Sequence, residues 1–249
     1  MVPMSELGAH LYDWSCQQMV DDLPLSEALA HEAAGPVLEM GCGSGRLLEG
    51  IARSGHEAVG VDISVPMLRR ARRRLDGAPV RLYRGDMASP LPERTFGLII
   101  LARHQLGYLR RRWQLELMLT RVRDHLAPGG TLLLDLASPE TLRDDGRLRT
   151  VLQCAGWDSW LNAWVQKWGG VTMHGERSEF DQTDYYAVDF PHARRMCLRE
   201  SACMRLFSVR EAARLLQSAG LRTVGSYGDY ELDGPLGSGG RLLFLARAP

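Results

Sequence analysis

The stretch VLEMGCGSGRL at 37–47 constrains the fold of this chain more than any other segment. It begins with a short apolar run, 37–40, of the kind that forms a buried parallel strand. Three glycines then allow a tight turn and a close approach of the backbone to a ligand: Gly41, Gly43 and Gly45. Residues 46–53 continue as a predicted helix. This order of strand, turn and helix indicates a ligand-binding loop.

The chemistry of the ligand follows from the helix start and from the next strand. A helix N-terminus presents unpaired N–H groups and a positive dipole end, which favour a carboxylate or a phosphate. The run AVGVDIS at 58–64 predicts the second strand, and Asp62 at its end can accept hydrogen bonds from two ribose hydroxyls. We therefore expect a nucleotide-like ligand.

The spacing of the glycines distinguishes between nucleotide classes. The dinucleotide pattern GxGxxG needs a third glycine where this chain has Arg46, which disfavours NAD. The pattern here is ExGxGxG, with Glu39 two residues before the first glycine. Together with Asp62 and with Asp86 in VRLYRGDMAS, this loop resembles that of class I methyltransferases that depend on S-adenosylmethionine (SAM).

The resemblance implies a cofactor site and its residues. In that family the acid matched by Asp62 holds the ribose, and the acid matched by Asp86 lies beside the adenine. The cofactor implied is SAM, with S-adenosylhomocysteine as the product. The cofactor-binding residues implied are Tyr12, Glu39, Gly41, Cys42, Gly43, Gly45, Asp62, Ile63, Met67, Asp86, Met87, Ala102 and Arg103.

The order of the predicted elements is typical of an α/β fold with a doubly wound, mostly parallel sheet. Ser64 predicts a helix cap before a helix to residue 75, and Ser208 with Glu211 forms a capping box before another helix. The resemblance, over 37–136 and 208–247, implies seven strands in a Rossmann-like methyltransferase fold, with the last strand antiparallel between the fifth and sixth. We assign 1–136 plus 208–249 to this core.

Two predicted site residues carry open alternatives. The fourth predicted strand ends at LARHQ, where His104 is either a general base or only a contact to the cofactor. Tyr12 lies in the predicted N-terminal helices, which either pack as a cover on the sheet or, as the resemblance implies, bring Tyr12 to the methionine end of the cofactor.

Residues 137–207 are more than the core needs, and we interpret them as an inserted cover. Two strand-like runs, DYYAVDF and RRMCLRESACMRLF, predict an antiparallel hairpin. Four tryptophans precede them at helical spacing: Trp157, Trp160, Trp164 and Trp168. Candidate acceptor-binding residues are Trp164, Tyr185, Tyr186 and Glu200, and only one of the adjacent tyrosines can point inward. The alternative is that the tryptophans are core packing or a homodimer contact.

Composition limits the partners. The formal net charge is zero and 45% of residues are hydrophobic, so the whole molecule has no attraction to nucleic acid or membrane. The arginine run at 69–74 can bind phosphates, but a solvated helix face explains it more simply. The apolar runs are too short to span a bilayer, no signal sequence is evident, and the five cysteines show no metal spacing, so we expect a cytoplasmic protein with reduced thiols and no metal.

The sequence thus predicts an enzyme that transfers a methyl group from SAM to an oxygen or nitrogen atom of a small molecule, in secondary metabolism. The alternative is a SAM-binding scaffold that promotes another reaction or serves as a partner subunit. An RNA methyltransferase that uses the arginine run is disfavoured by the neutral charge.

Overall fold

The apolar runs that the sequence places at 37–40, 58–62 and 96–101 form the centre of a β-sheet in the computed structural model. The structure describes residues 4–89, 94–138, 149–174, 178–236 and 241–249. The helices are α1 (Glu6–Ser15), α2 (Leu23–Glu32), α3 (Arg46–Arg53), α4 (Val65–Arg74), α5 (Arg112–His125) and α6 (Val209–Ser218). The strands are β1 (Val37–Met40), β2 (Ala58–Asp62), β3 (Val80–Arg84), β4 (Phe96–Leu101), β5 (Leu126–Ala137), β6 (Arg149–Asp158), β7 (Ala163–Met173), β8 (Glu179–Asp189), β9 (Met196–Arg205), β10 (Arg222–Tyr227) and β11 (Arg241–Arg247).

The larger sheet has seven strands in the order β10–β11–β5–β4–β1–β2–β3. Strand β1 lies at the centre of the parallel part and pairs with β2 and β4, and β5 and β3 extend this part on either side. Strand β11 is antiparallel to both β5 and β10. The doubly wound, mostly parallel sheet with an inserted last strand is therefore confirmed.

Helices cover both faces of this sheet because each carries an apolar stripe. Helices α2, α3 and α4 pack on one face, where Leu48 and Leu68 are buried. Helices α5 and α6 pack on the other face, where Leu115 and Leu119 at the predicted spacing are buried with Leu216. Among the described helices, none combines the length and the apolarity that crossing a bilayer requires.

The inserted segment differs from the predicted hairpin. It forms a separate antiparallel sheet of four strands in the order β6–β7–β8–β9. The predicted hairpin corresponds to β8 and β9, whereas the tryptophan stretch that has helical spacing forms β6, β7 and their connection. Trp157 is paired with Trp164, and these side chains are 51% and 44% exposed on the outer face. The tryptophans are thus neither a helical stripe nor core packing.

Helix α1 lies between the two sheets. Its Leu11 is fully buried against Val165, Tyr186 and Val188 of the inserted sheet. The same helix contacts α4 of the larger sheet through its polar side. The carboxyl ends of β1, β2 and β4 therefore lie on one side of α1, and the inner face of the inserted sheet lies on the other. In open parallel sheets this edge is where ligands bind.

Candidate active site

The glycine loop between β1 and α3 has the conformation that the sequence requires. Gly41, Gly43 and Gly45 have φ values of 75°, 52° and 78°, which side chains rarely adopt. The N–H groups of Gly41 and Cys42 both donate to the carbonyl of Val61 and fix the loop to β2. A Cβ atom at Gly43 would meet no atom of the described residues within 4 Å. The loop is therefore fixed to β2 on one side and open to a ligand at Gly43.

Asp62 lies at the end of β2, next to this opening. One carboxylate oxygen accepts a hydrogen bond from the N–H of Gly43 (2.8 Å), and the other accepts from the N–H of Ser64 (2.7 Å). Burial raises the pKa of Asp62, although these backbone hydrogen bonds oppose the shift. Since each carboxylate oxygen has two lone pairs, one on each remains for further donors such as ribose hydroxyls.

Glu39 is the buried acid of the site. It is 5% exposed within β1, and its Oε2 atom has no hydrogen-bond partner among the described residues. Burial raises the pKa of Glu39 well above its usual value, Arg46 opposes the shift, and Asp22 and Asp62 add to it. A buried carboxylate without a partner indicates a place for a cationic or hydrogen-donating ligand group.

The other residues implied for the cofactor have different surroundings. Asp86 is exposed after β3, and its side chain accepts a hydrogen bond from the N–H of Ala88. Ile63 directly follows β2 and is exposed, whereas Met67 is buried in α4. The side chain of Cys42 points away from the open side of the loop, toward Gly60. Only the backbone of Cys42 is therefore available at the opening.

The end of β4 is strained. Arg103 and His104 have φ values of 52° and 63°, in the left-handed region that is costly for residues other than glycine. The Arg103 guanidinium is held by Asp22 and Asp21, so this side chain is occupied within the protein. Ala102 is buried at the same strand end. Strain of this kind is common where a side chain must be presented to a ligand.

His104 faces Asp135, which is fully buried at the end of β5. Asp135 Oδ2 accepts hydrogen bonds from the Arg103 N–H, the Tyr230 hydroxyl and the Arg241 guanidinium. The other oxygen, Oδ1, lies 3.5 Å from His104 Nδ1, and neither atom has a hydrogen-bond partner among the described residues. Asp135 thus faces Nδ1 of the imidazole, which favours the proton on that nitrogen.

The pKa of His104 is lowered. Burial is the main cause, the Asp135 carboxylate opposes it, and the charges of Arg241 and Arg103 add to it. An imidazole whose pKa lies below 6.5 is neutral at pH 7 and can accept a proton.

Helix α1 is fastened to the glycine loop by Asp13. The Asp13 carboxylate accepts hydrogen bonds from the Ser44 hydroxyl (2.5 Å), from Arg70 (2.9 Å) and from Arg74 (2.9 Å). Two members of the arginine run on α4 are therefore used to hold α1, which corrects the interpretation of that run as a solvated face alone. At its other side, the buried His10 lies 2.7 Å from Asp158 of β6.

The inner face of the inserted sheet completes the site. Lys167 is 2% exposed, and its Nζ lies 3.0 Å from Asp184. Tyr186 is buried on the same face, and Asp184 pairs across the strands with Glu200. Two candidates, Trp164 and Tyr185, lie on the opposite face because side chains alternate along a strand. The prediction that only one of the adjacent tyrosines points inward is confirmed.

The turn at 105–108 connects this inner face to the cofactor loop, since Tyr108 packs on Phe180 and Met204 while the Gln105 side chain lies against Gly41. Burial raises the pKa of Tyr108, and the carboxylates of Asp184 and Asp62 both add to the shift. Burial likewise raises the pKa of Tyr12, with contributions from Cys16, Tyr108 and Tyr186. Sequence reasoning did not identify Lys167, Asp184 or Tyr108, although a lone lysine within an apolar strand run was visible at 163–169.

Comparisons with known proteins agree with this geometry. A family profile described as "Methyltransferase domain" matches residues 37–130. A dTDP-3-amino-3,4,6-trideoxy-α-D-glucopyranose N,N-dimethyltransferase of Streptomyces venezuelae is 31% identical over 45% of this chain and 46% of its own length. A cypemycin N-terminal methyltransferase of Streptomyces is 26% identical over 78% of this chain and 75% of its own. The chain thus spans about half the length of the first relative and three quarters of the second.

Solved structures show the same fold. Streptomyces venezuelae DesVI has a TM-score of 0.79 at 23% identity, covering 97% of this chain and 98% of its own. The SAM-bound amino pentose methyltransferase CalS10 has a TM-score of 0.75 at 23% identity, covering 96% of both chains.

Residues 37–130 thus match a methyltransferase domain, and the fold of the whole chain is that of solved SAM-dependent methyltransferases. The residues present fit the family's cofactor on structural grounds. The loop is open at Gly43, Asp62 keeps acceptor capacity on both oxygens, and Glu39 has a buried oxygen without a partner among the described residues. These are the features that a ribose and a cationic amino-acid group require.

Replacing Asp13 with Asn should loosen α1. Losing charge-assisted hydrogen bonds should lower the free energy of unfolding by about 1.5–3 kcal/mol at pH 7. Although burial acts in the opposite direction, the hydrogen bond from Ser44 and the charges and hydrogen bonds of Arg74 and Arg70 lower the pKa of Asp13. In the wild type, this stabilisation is present above the unfolded-state pKa of about 3.9 and is lost as pH falls through the lower folded-state pKa.

Denaturant unfolding between pH 2 and pH 7 measures this effect. Glu6→Gln removes an exposed pair between α1 and Arg69 and is the matched control, with an expected loss of roughly 0–1 kcal/mol. An Asp13→Asn protein as stable as the wild type at pH 7 would contradict the role of Asp13.

Replacing Glu39 with Gln should raise the stability of the fold while weakening cofactor binding. Because the pKa of Glu39 is raised in the folded protein, the wild type loses stability as pH rises above the unfolded-state value of about 4.3. Gln removes this loss, so the variant should unfold at higher denaturant than the wild type at pH 8. It should also bind S-adenosylhomocysteine more weakly by calorimetry. Glu116→Gln, on exposed α5, should change neither quantity, and equal cofactor affinity in Glu39→Gln would refute the assignment.

Proposed function

We propose that this protein transfers a methyl group from SAM to a nitrogen atom of a small molecule, as a step in secondary metabolism. The observation that carries the proposal is the position of the turn at 105–108: the Gln105 side chain lies against Gly41 of the cofactor loop, and Tyr108 packs on Phe180 and Met204 of the inserted sheet. The space between the loop and the inner face is thus a place where cofactor and acceptor can meet. The names of two relatives, an N,N-dimethyltransferase of an amino sugar nucleotide and an N-terminal methyltransferase of cypemycin, support nitrogen as the acceptor atom.

The roles of the chain's own residues follow from the geometry. Asp62 and the glycine loop orient the ribose and the amino-acid part of the cofactor, and α1 with the inserted sheet excludes water. When bound, SAM would supply an electrophilic methyl group, which passes from its sulfonium to the nitrogen lone pair as the S–C bond breaks and leaves S-adenosylhomocysteine as a neutral thioether.

The proton that nitrogen loses needs an acceptor, and we assign it to His104. The imidazole is neutral at pH 7 because its pKa is lowered. Asp135 faces Nδ1, so Nε2 is the atom left to take the proton, directly or through one water molecule.

Turnover tests the proposal directly. The protein is incubated with SAM and a panel of small amines and alcohols, and S-adenosylhomocysteine is measured. Release that depends on an amine acceptor supports methyl transfer to nitrogen. Tight SAM binding without release for any acceptor would favour a SAM-binding scaffold instead.

Replacing Asp62 with Ala should weaken cofactor binding. The loss of an acceptor for ribose hydroxyls should cost about 1–3 kcal/mol, because a buried hydroxyl would be left unpaired. Calorimetry with S-adenosylhomocysteine measures it. Asp62→Asn keeps one acceptor oxygen and should lose less affinity, while unchanged affinity in Asp62→Ala would place the ribose elsewhere.

Replacing His104 with Ala should lower turnover by about 10²–10⁴-fold with little change in SAM affinity. In the wild type, kcat/KM should rise with pH through a midpoint below 6.5, since the lowered pKa is that of the imidazole. The variant should lack this acid limb. Near-normal turnover would show that His104 is only a contact residue, and a mild effect would indicate that the acceptor nitrogen arrives already neutral.

A further inference from the structure

The inner face of the inserted sheet carries charges where a covered sheet face normally carries apolar side chains. Lys167 of β7, Asp184 of β8 and Glu200 of β9 share this face, and we call them the inner charged cluster. Asp184 and Glu200 are direct partners in the antiparallel register. Lys167 and Asp184 are 2% and 7% exposed. Burying such groups is costly unless each charge is compensated.

The compensation within the inner charged cluster is incomplete. Lys167 contacts Asp184 Oδ2 at 3.0 Å, but Asp184 Oδ1 is buried and has no hydrogen-bond partner among the described residues. Burial raises the pKa of Glu200, and the neighbouring Asp184 carboxylate adds to the shift, which is the sign of two like charges held together. One ammonium, in contact with Asp184 alone, does not balance two neighbouring carboxylates when both are ionised.

Aromatic rings surround the cluster. The rings of Tyr12 and Tyr186 have their centroids 5.7 Å from Lys167 Nζ, a distance at which a cation is attracted to the ring face. Tyr108 packs on the same sheet, against Phe180 and Met204. Glu200 reaches α1, where a Cβ atom at Gly8 would collide with its carboxylate. These rings thus stabilise the Lys167 ammonium, and the two carboxylates favour a cationic ligand over a neutral one.

We propose that the inner charged cluster is the recognition site for the acceptor's ammonium group, with Asp184 Oδ1 and Glu200 as its counter-ions. Lys167 is a positioning residue that holds Asp184 Oδ2 and leaves Oδ1 free. The site therefore binds small amines in their protonated form and discriminates against alcohols of the same shape. The bound ammonium must pass one proton to a base before its lone pair can attack the methyl group, and His104 is the base assigned above. This inference rests on the proposed function, since it names the acceptor class of the same enzyme.

Binding of a matched pair of probes tests it. Cyclohexylamine, protonated at pH 7.5, and cyclohexanol have the same shape and differ in charge. Each is titrated calorimetrically into the full protein saturated with S-adenosylhomocysteine. We expect the amine to bind at least tenfold more tightly than the alcohol. Equal affinities, or no binding of the amine, would overturn the proposal.

Substitutions in the inner charged cluster test whether Asp184 and Glu200 cause the tighter binding of the amine. Asp184→Asn and Glu200→Gln should each reduce amine affinity at least tenfold and leave alcohol affinity unchanged. Asp189→Asn is the matched control, because Asp189 lies on the opposite face of the same strand and pairs with Arg195; it should retain the preference. If Asp184→Asn does not fold, the half-buried Glu200→Gln decides alone, and a preference that survives there refutes the proposal.

The same titrations separate this inference from the proposed function. S-adenosylhomocysteine affinity should be the same in the wild type, Asp184→Asn and Glu200→Gln. Failure of the wild type to bind S-adenosylhomocysteine would refute the proposed function. Normal cofactor binding and turnover without amine preference would refute the inner charged cluster alone.

Discussion

The carboxylate of Asp13 is the contact on which the arrangement of this protein depends. It joins α1 to Ser44 of the glycine loop and to two arginines of α4. Because α1 also packs on the inserted sheet, the same carboxylate fixes the distance between the cofactor loop and the second sheet. A small shift of this helix would change both walls of the site together.

Buried aspartates repeat this role at other joints. Asp22 receives Arg46 from the start of α3 and Arg103 from the end of β4. Asp135 receives Arg241 from β11. In each case the acid comes from one element and the bases come from others, so the pairing is satisfied only when the elements are correctly placed. We therefore infer that these ion pairs align the strand ends more than they add to the stability of the fold.

The core could be predicted from the sequence because its signals are local. The glycine loop, the Ser64 and Ser208 caps and the apolar strand runs each specify their own conformation within a few residues. The position of the last strand depends on pairing across the sheet, and only the family resemblance implied it. The same resemblance indicated Asp62 and Glu39, whose surroundings fit a cofactor.

The inserted sheet could not be predicted in the same way. Trp157, Trp160 and Trp164 have a spacing that fits a helix, and the irregular register between Leu152 and Cys154 interrupts the alternation that would have indicated β6. The meeting of Asp184 with Glu200 depends on cross-strand register, which a single sequence does not encode locally. Lys167 is visible as a lone lysine, but nothing in the neighbouring sequence indicates a buried position.

The presence of a single, buried lysine has a chemical consequence. Lys167 is the only lysine in the sequence, and its ammonium is enclosed between the inserted sheet and α1. Reagents that acylate primary amines would therefore find no accessible side chain on the folded protein. Acylation of Lys167 would require α1 and the inserted sheet to separate. The rate of acylation therefore reports how often these two elements move apart.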